Sequence, residues 1–156
     1  FDFAQLGIYI ERADNTARIL DVKYYVLLPS ISWVGSSLDN SQWESILRSV
    51  SAHRSYRWVY EADYRPTSIA DFLILNRRMP RSLAFCYRMI SEALGFLADE
   101  YGERHDCHDT LEETMKMLRP GSVQAIFDGG LHEFLDDFIT RNNKLGNEVA
   151  QDYRFF

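Results

Sequence analysis

Between Phe1 and Pro29 the apolar residues Leu6, Ile10, Ala13, Ala17, Leu20, Tyr24 and Leu28 return at intervals of three and four. At about 100° per residue they share one stripe, which predicts an amphipathic helix running to Leu28. Pro29 disfavours helical geometry in the residue before it, and the Ser- and Gly-rich run from Ser30 to Asn40 reads as a connector. Ser41 and Glu44 have capping-box spacing, and Trp43, Ile46, Leu47 and Val50 then repeat helically. A second helix is therefore predicted from Ser41 to about Asp63, closed by Arg65-Pro66. A short helix follows, capped by Thr67 or Ser68, with Ile69, Phe72, Leu73 and Leu75 as its apolar face. Beyond the Arg77-Arg78-Met79 break, Pro80 suits a first helical position. Leu83, Cys86, Tyr87, Ile90, Leu94, Leu97 and Tyr101 then mark a fourth helix, which Phe85, Met89 and Phe96 widen into the most buried of the set.

Gly102 to Asp109 is polar and reads as a loop, and Thr110 to Leu118 as a helix with Glu112 and Glu113 near its positive N-terminal end. Pro120-Gly121 ends it, Ser122 to Phe127 makes at most one or two turns, and Gly129-Gly130 is a hinge. Leu131, Leu135, Phe138, Leu145 and Val149 mark a long last helix to about Asp152. No run alternates apolar and polar residues over strand length. The pattern predicts an all-α fold, a helical bundle of about five or six helices in which four long ones, the first, second, fourth and last, form the walls.

Composition narrows this only in part. A chain of 156 residues suits a single domain with a real core. Its net charge of −6 argues against a general nucleic-acid binder, which needs excess Lys and Arg to neutralise phosphates. No apolar run approaches the roughly 20 residues of a membrane span, and the start lacks the pattern of a secretory signal. Cys86 and Cys107 do not make a disulfide framework, so a cytoplasmic location is expected.

The first helix places charge where a plain solvated face would not. Asp14 and Asp21 border the apolar stripe, with Glu11 and Arg18 just beyond, and Ala13 and Ala17 leave room for another helix to approach. Arg18 stands one turn from Asp14 and within a turn of Asp21, while Glu11, Asn15 and Arg18 form a parallel ladder. Two roles fit. In one, the ladder is a semi-buried ion-pair network that fixes helix register. In the other, Glu11 or Asp14 is an acid, base or ligand in an interhelical pocket, and Arg12 or Arg18 holds a carboxylate or phosphate. In the last helix, Arg141 and Asn142 interrupt the rhythm between Phe138 and Leu145, which predicts a polar layer paired with the charges of the first helix. Asp152-Tyr153-Arg154 is either a similar feature or a frayed end.

The run from Ile10-Glu11-Arg12-Ala13-Asp14 through Thr16-Ala17-Arg18 to Leu20-Asp21-Val22 resembles the signature of the bacterial alpha-E family of all-helical proteins. Leu27-Leu28-Pro29, the segment around Ser51-Ala52, Phe72 to Leu75, Pro80-Arg81-Ser82 and Asp152 to Phe155 agree in order, so the resemblance covers essentially the whole chain. Members of that family are about twice this length and look internally duplicated, which makes this chain similar to a C-terminal half. The resemblance also implies a setting, since alpha-E proteins are encoded beside or fused with circularly permuted ATP-grasp ligases and transglutaminase-like proteins. Among site candidates, only Glu11, Arg12, Asp14, Arg18 and Asp21 carry over from the signature.

Other chemistries find little support. A di-iron bundle needs Glu-x-x-His pairs, and the sequence has none. His105-Asp106-Cys107-His108 lacks the second ligand pair of a zinc site and reads as a polar interhelical loop, so no metal and no cofactor are expected. No nucleophile elbow, P-loop or dinucleotide fingerprint is present. His132 beside Glu133 reads as a surface pair. His53 to Trp58, with Tyr60, Tyr64 and Arg65, interleaves bases and aromatics, which pack inward or form a partner surface. Arg77, Arg78, Arg81 and Arg88 make a second basic patch, where Arg81-Ser82 at a helix start can hold an anion with free amides. The resemblance implies a non-catalytic accessory module of a peptide-modification system. Its expected partners are the ligase, the transglutaminase-like protein and the N-terminal half of the same protein, or a second copy. The alternative is an enzyme acting on a peptide or amide through the Glu11, Arg12, Asp14 and Arg18 seam, with Glu11 as general base and an arginine as carboxylate clamp.

Overall fold

The computed structural model describes residues 1–26 and 36–155. These form eight α-helices: α1 (Asp2–Val26), α2 (Ser37–Ser49), α3 (His53–Tyr60), α4 (Pro66–Ala70), α5 (Leu83–Tyr101), α6 (Asp106–Met117), α7 (Val123–Gly129) and α8 (Leu131–Asp152). A π-helical turn, Asp71–Leu75, prolongs α4. No strand occurs among the described residues, and no described helix is long and apolar enough to cross a membrane. The stop at Leu28-Pro29 and most of the predicted connector lie outside the described residues.

The stripe on α1 buries as predicted: Leu6, Ala13, Ala17 and Leu20 are inaccessible. The two alanines let α1 pack closely against α5 and α8, which are its main neighbours. α5 contributes Leu83, Cys86, Tyr87, Ile90, Ala93, Leu94 and Leu97 to the same core, and ends on Gly102, whose φ of 74° is the left-handed cap glycine favours. α8 brings Leu135, Phe138, Leu145 and Val149. α6 covers α8 and α5, α2 packs on α1, the π-helical turn packs on α5, and α3 and α4 lie against α2.

Several boundaries differ from expectation. The cap of α2 is Ser36, whose hydroxyl accepts from the Asp39 amide at 3.2 Å, so Ser41 lies a turn inside the helix. The single second helix is two. Ser51 adopts a left-handed φ of 56°, and Ala52 turns its amide back to the Leu47 carbonyl at 2.7 Å. The period survives this break because Val50, Ala52 and Tyr56 all bury into one core. α4 starts with Pro66 at its first position, so neither Thr67 nor Ser68 caps it. Ser82 rather than Pro80 opens α5, accepting from the Phe85 amide at 3.1 Å. α6 begins a turn early, because the His108 ring accepts from the His105 amide at 3.0 Å and Asp152 of α8 accepts from the Cys107 amide at 3.0 Å. Glu112 and Glu113 consequently sit mid-helix, away from the positive end.

Candidate functional site

The polar edge of α1 resolves into three separate arrangements. Arg18 binds Asp14 at 2.7 Å one turn away, on the exposed side of the helix. Asp14 Oδ1, in contrast, is buried with no hydrogen-bond partner, a free acceptor at the edge of the stripe. Asp21 does not join this pair: its carboxylate meets His132 of α8 at 2.8 Å, so His132 bridges two helices and is not a surface partner of Glu133. That hydrogen bond, aided by the charges of Asp21, Glu133 and Asp136, raises the His132 pKa against the opposing effect of desolvation. Glu11 is exposed and lies outside the seam.

The polar layer in α8 also differs from the predicted charge pairing. Asn142 is fully buried, accepts from the Tyr87 hydroxyl at 2.9 Å and donates to the Ile10 carbonyl at 3.0 Å. It therefore ties α8 to α5 and to the backbone of α1. Arg141 points the other way, to Asp137 at 3.0 Å and Glu113 at 3.5 Å. The chain end is not frayed: besides Asp152 capping α6, Tyr153 packs edge-on against Phe3 at 5.0 Å and His105 at 5.2 Å.

One buried ion pair escaped sequence reasoning. Lys23, two residues beyond Asp21, reaches Asp39 of α2 at 2.5 Å and Gln42 at 2.7 Å, with its ammonium over the Trp43 ring. The signal was present as a lysine three residues after Leu20, on the flank of the apolar stripe, but its partner lies across the connector.

The remaining candidates gather on the α1–α5 seam. Arg12 lies over the Tyr9 ring at 5.3 Å, Tyr9 meets Phe85 at 6.1 Å, and Arg88 lies over Phe85 at 4.8 Å. Arg81 joins from the turn before α5, and its charge and that of Arg12 both act on the Cys86 thiol. Burial outweighs them and pushes that thiol up to about 12, as it does Cys107, so neither cysteine is a ready nucleophile. The side chain of Ser82 is engaged within the fold. It is fully buried, caps Phe85 and donates to the Asn76 carbonyl. The strip offers cations and aromatic faces, suited to holding a ligand carboxylate or a planar group.

A metal is poorly served. His108 is held at one nitrogen by the Leu94 carbonyl at 3.1 Å and at the other by the His105 amide, and no cluster of ligating groups occurs among the described residues. In α3, Tyr56 is buried, with Tyr60 and Tyr64 stacked on it, leaving Trp58 85 % exposed beside Arg54 and Arg57 around an open cleft.

Residues 1–154 match a family described as a predicted alpha-helical domain with a conserved ER motif. The chain belongs to the Alpha-E family. Glu-Arg occurs in it at Glu11-Arg12 and at Glu103-Arg104; the first pair is the one inside the signature, and its Arg12 lies on the α1–α5 strip. No curated protein and no solved structure matches the Alpha-E chain.

Proposed function

We propose that this Alpha-E domain is a non-catalytic binding module of a cytoplasmic peptide-modification system, acting with an ATP-grasp-type ligase and a transglutaminase-like protein. The observation that carries the reading is the division of labour on α1. Asp14 and Asp21 are engaged with Arg18 and His132, while Arg12 of the Glu-Arg pair lies half-buried over the Tyr9 ring, within ion-pair distance of no carboxylate of the described residues. An arginine that pairs with no carboxylate in the fold is available to bind an anion, and Glu11, its neighbour in sequence, is exposed. The two free, buried cysteines suit a reducing compartment. The same reading supplies an occupant for the apolar groove between α1 and α8, lined by Phe3, Leu6, Ile10, Val149 and Phe155: the N-terminal half of a longer Alpha-E protein, or a second copy.

The test is reconstitution. The protein is co-purified with the candidate ligase, ATP and peptide are supplied, and products are followed by mass spectrometry. Product that forms only when both proteins are present is the expected result. Conversion of a peptide by this protein alone would sink the binding-module reading and make the α1 seam an active site.

A further inference from the structure

A second basic site lies away from the α1 signature. The cleft between α5, the end of α6 and the turn before α5 encloses about 110 Å³, with Arg77, Arg88 and Arg119 at its rim and Tyr87, Met115 and Leu118 among its walls. The three arginines come from three different elements, in a chain whose net charge is −6. Arg88 is held by Glu92 at 2.9 Å, whereas no carboxylate of the described residues lies within ion-pair distance of Arg77 or Arg119.

Both of these arginines hang from a fixed backbone. The Asn76 side chain accepts from the amides of Arg78 at 2.8 Å and Met79 at 2.9 Å, and the Asn76 carbonyl takes the Ser82 hydroxyl, so the turn carrying Arg77 is knit to the start of α5. The Arg119 amide closes on the Lys116 carbonyl at 3.1 Å, and Leu118 beside it is buried. Ligand order is therefore met by a preformed frame, which lowers the cost of binding. Size decides the ligand class. The cleft is well below the roughly 300 Å³ at which pockets take a whole drug-sized molecule or nucleotide, and near the roughly 150 Å³ of a cavity that admits benzene. It has room for one apolar side chain, with an anionic head left at the arginines of its open rim.

We propose that this cleft binds the C-terminal residue of a peptide, with the carboxylate on Arg77 and Arg119 and an apolar side chain against Met115 and Leu118. Binding of an apolar organic acid stands on the cleft alone. The choice of a peptide as its source rests on the function proposed above.

The test is calorimetric titration of the full protein, with no ligase present, against N-acetyl-Ala-Ala-Leu, its C-terminal amide, free leucine and inorganic phosphate. The peptide acid is expected to bind at least about tenfold more tightly than the amide, since charged hydrogen bonds to arginine are lost on amidation. The double variant R77Q/R119Q, at two exposed positions, is expected to lose about tenfold or more for the acid while melting like the parent. Equal binding of acid and amide, unchanged affinity in the variant, or no binding of the acid up to about 10 mM would overturn the proposal. Phosphate or leucine binding as tightly as the peptide acid overturns the peptide assignment and identifies the other source. Because no ligase takes part, failure here is distinct from failure of the reconstitution above.

Discussion

Lys23 and Asn142 show how single polar side chains specify this bundle. Lys23 and Asp39 are 2 % and 5 % exposed and meet at 2.5 Å, so removing Lys23 takes away the cation that faces a buried carboxylate. Lys23→Ala is expected to cost about 3–5 kcal/mol in urea unfolding, whereas the pair replacement K23M/D39L recovers most of that loss. A single variant as stable as the parent would show that the pair contributes nothing. Asn142 has a different logic, because its two partners belong to separate helices. Asn142→Leu removes the acceptor of the Tyr87 hydroxyl and the side-chain donor to the Ile10 carbonyl together, for an expected loss of about 1–3 kcal/mol. The same measurement decides this, and the more conservative Asn142→Asp keeps the acceptor for Tyr87 but not the donor for Ile10.

The helices themselves were legible where one periodic stripe met one core. α1, α5 and α8 followed from Leu6 to Leu20, Leu83 to Leu97 and Leu135 to Val149, and the polar layer at Asn142 was visible as a break in that rhythm. The ends were not legible, because they depend on caps whose partners lie elsewhere in the chain. Ser36 is one such cap. Asp152 capping α6 joins residues 45 positions apart, and the Ser51 turn hides inside an unbroken apolar period. For the site, Arg12 and Arg81 were recognisable from their motifs, yet the cleft of Arg77, Arg88 and Arg119 needed the end of α6, which no local pattern connects to α5. Element stability offers its own test at Gly7, where an added Cβ would meet nothing within 4 Å. Gly7→Ala is expected to stabilise the isolated domain by about 0.5–1 kcal/mol, read as a higher melting temperature; an unchanged or lower one would overturn this.

At the scale of the whole molecule, the contact between α1 and α8 contains a titrating bridge that makes stability depend on pH in a defined direction. His132 gains its proton more readily in the fold, chiefly through the hydrogen bond to Asp21 and then through the charges of Asp21, Glu133 and Asp136. A histidine whose pKa is raised by folding contributes stability that is fully present below its unfolded value of about 6.5. That contribution fades as pH rises through the folded-state value, because the neutral ring no longer rewards the carboxylate. Unfolding followed from pH 5.5 to 8.5 should therefore show a loss of stability toward the alkaline side, on top of whatever other groups contribute. Asp21→Asn removes the partner charge and should flatten this component, and the His132 titration seen by NMR should move down in pH. If the variant leaves both the slope and the titration unchanged, Asp21 does not hold His132 in solution. The bridge lies on the signature helix but takes no part in the Arg12 strip, so under the function proposed above an Asp21→Asn protein is expected to keep ligase binding at neutral pH, while Arg12→Gln, with normal melting, is expected to lose it. That contrast would separate a structural role of Asp21 from the binding role proposed for Arg12.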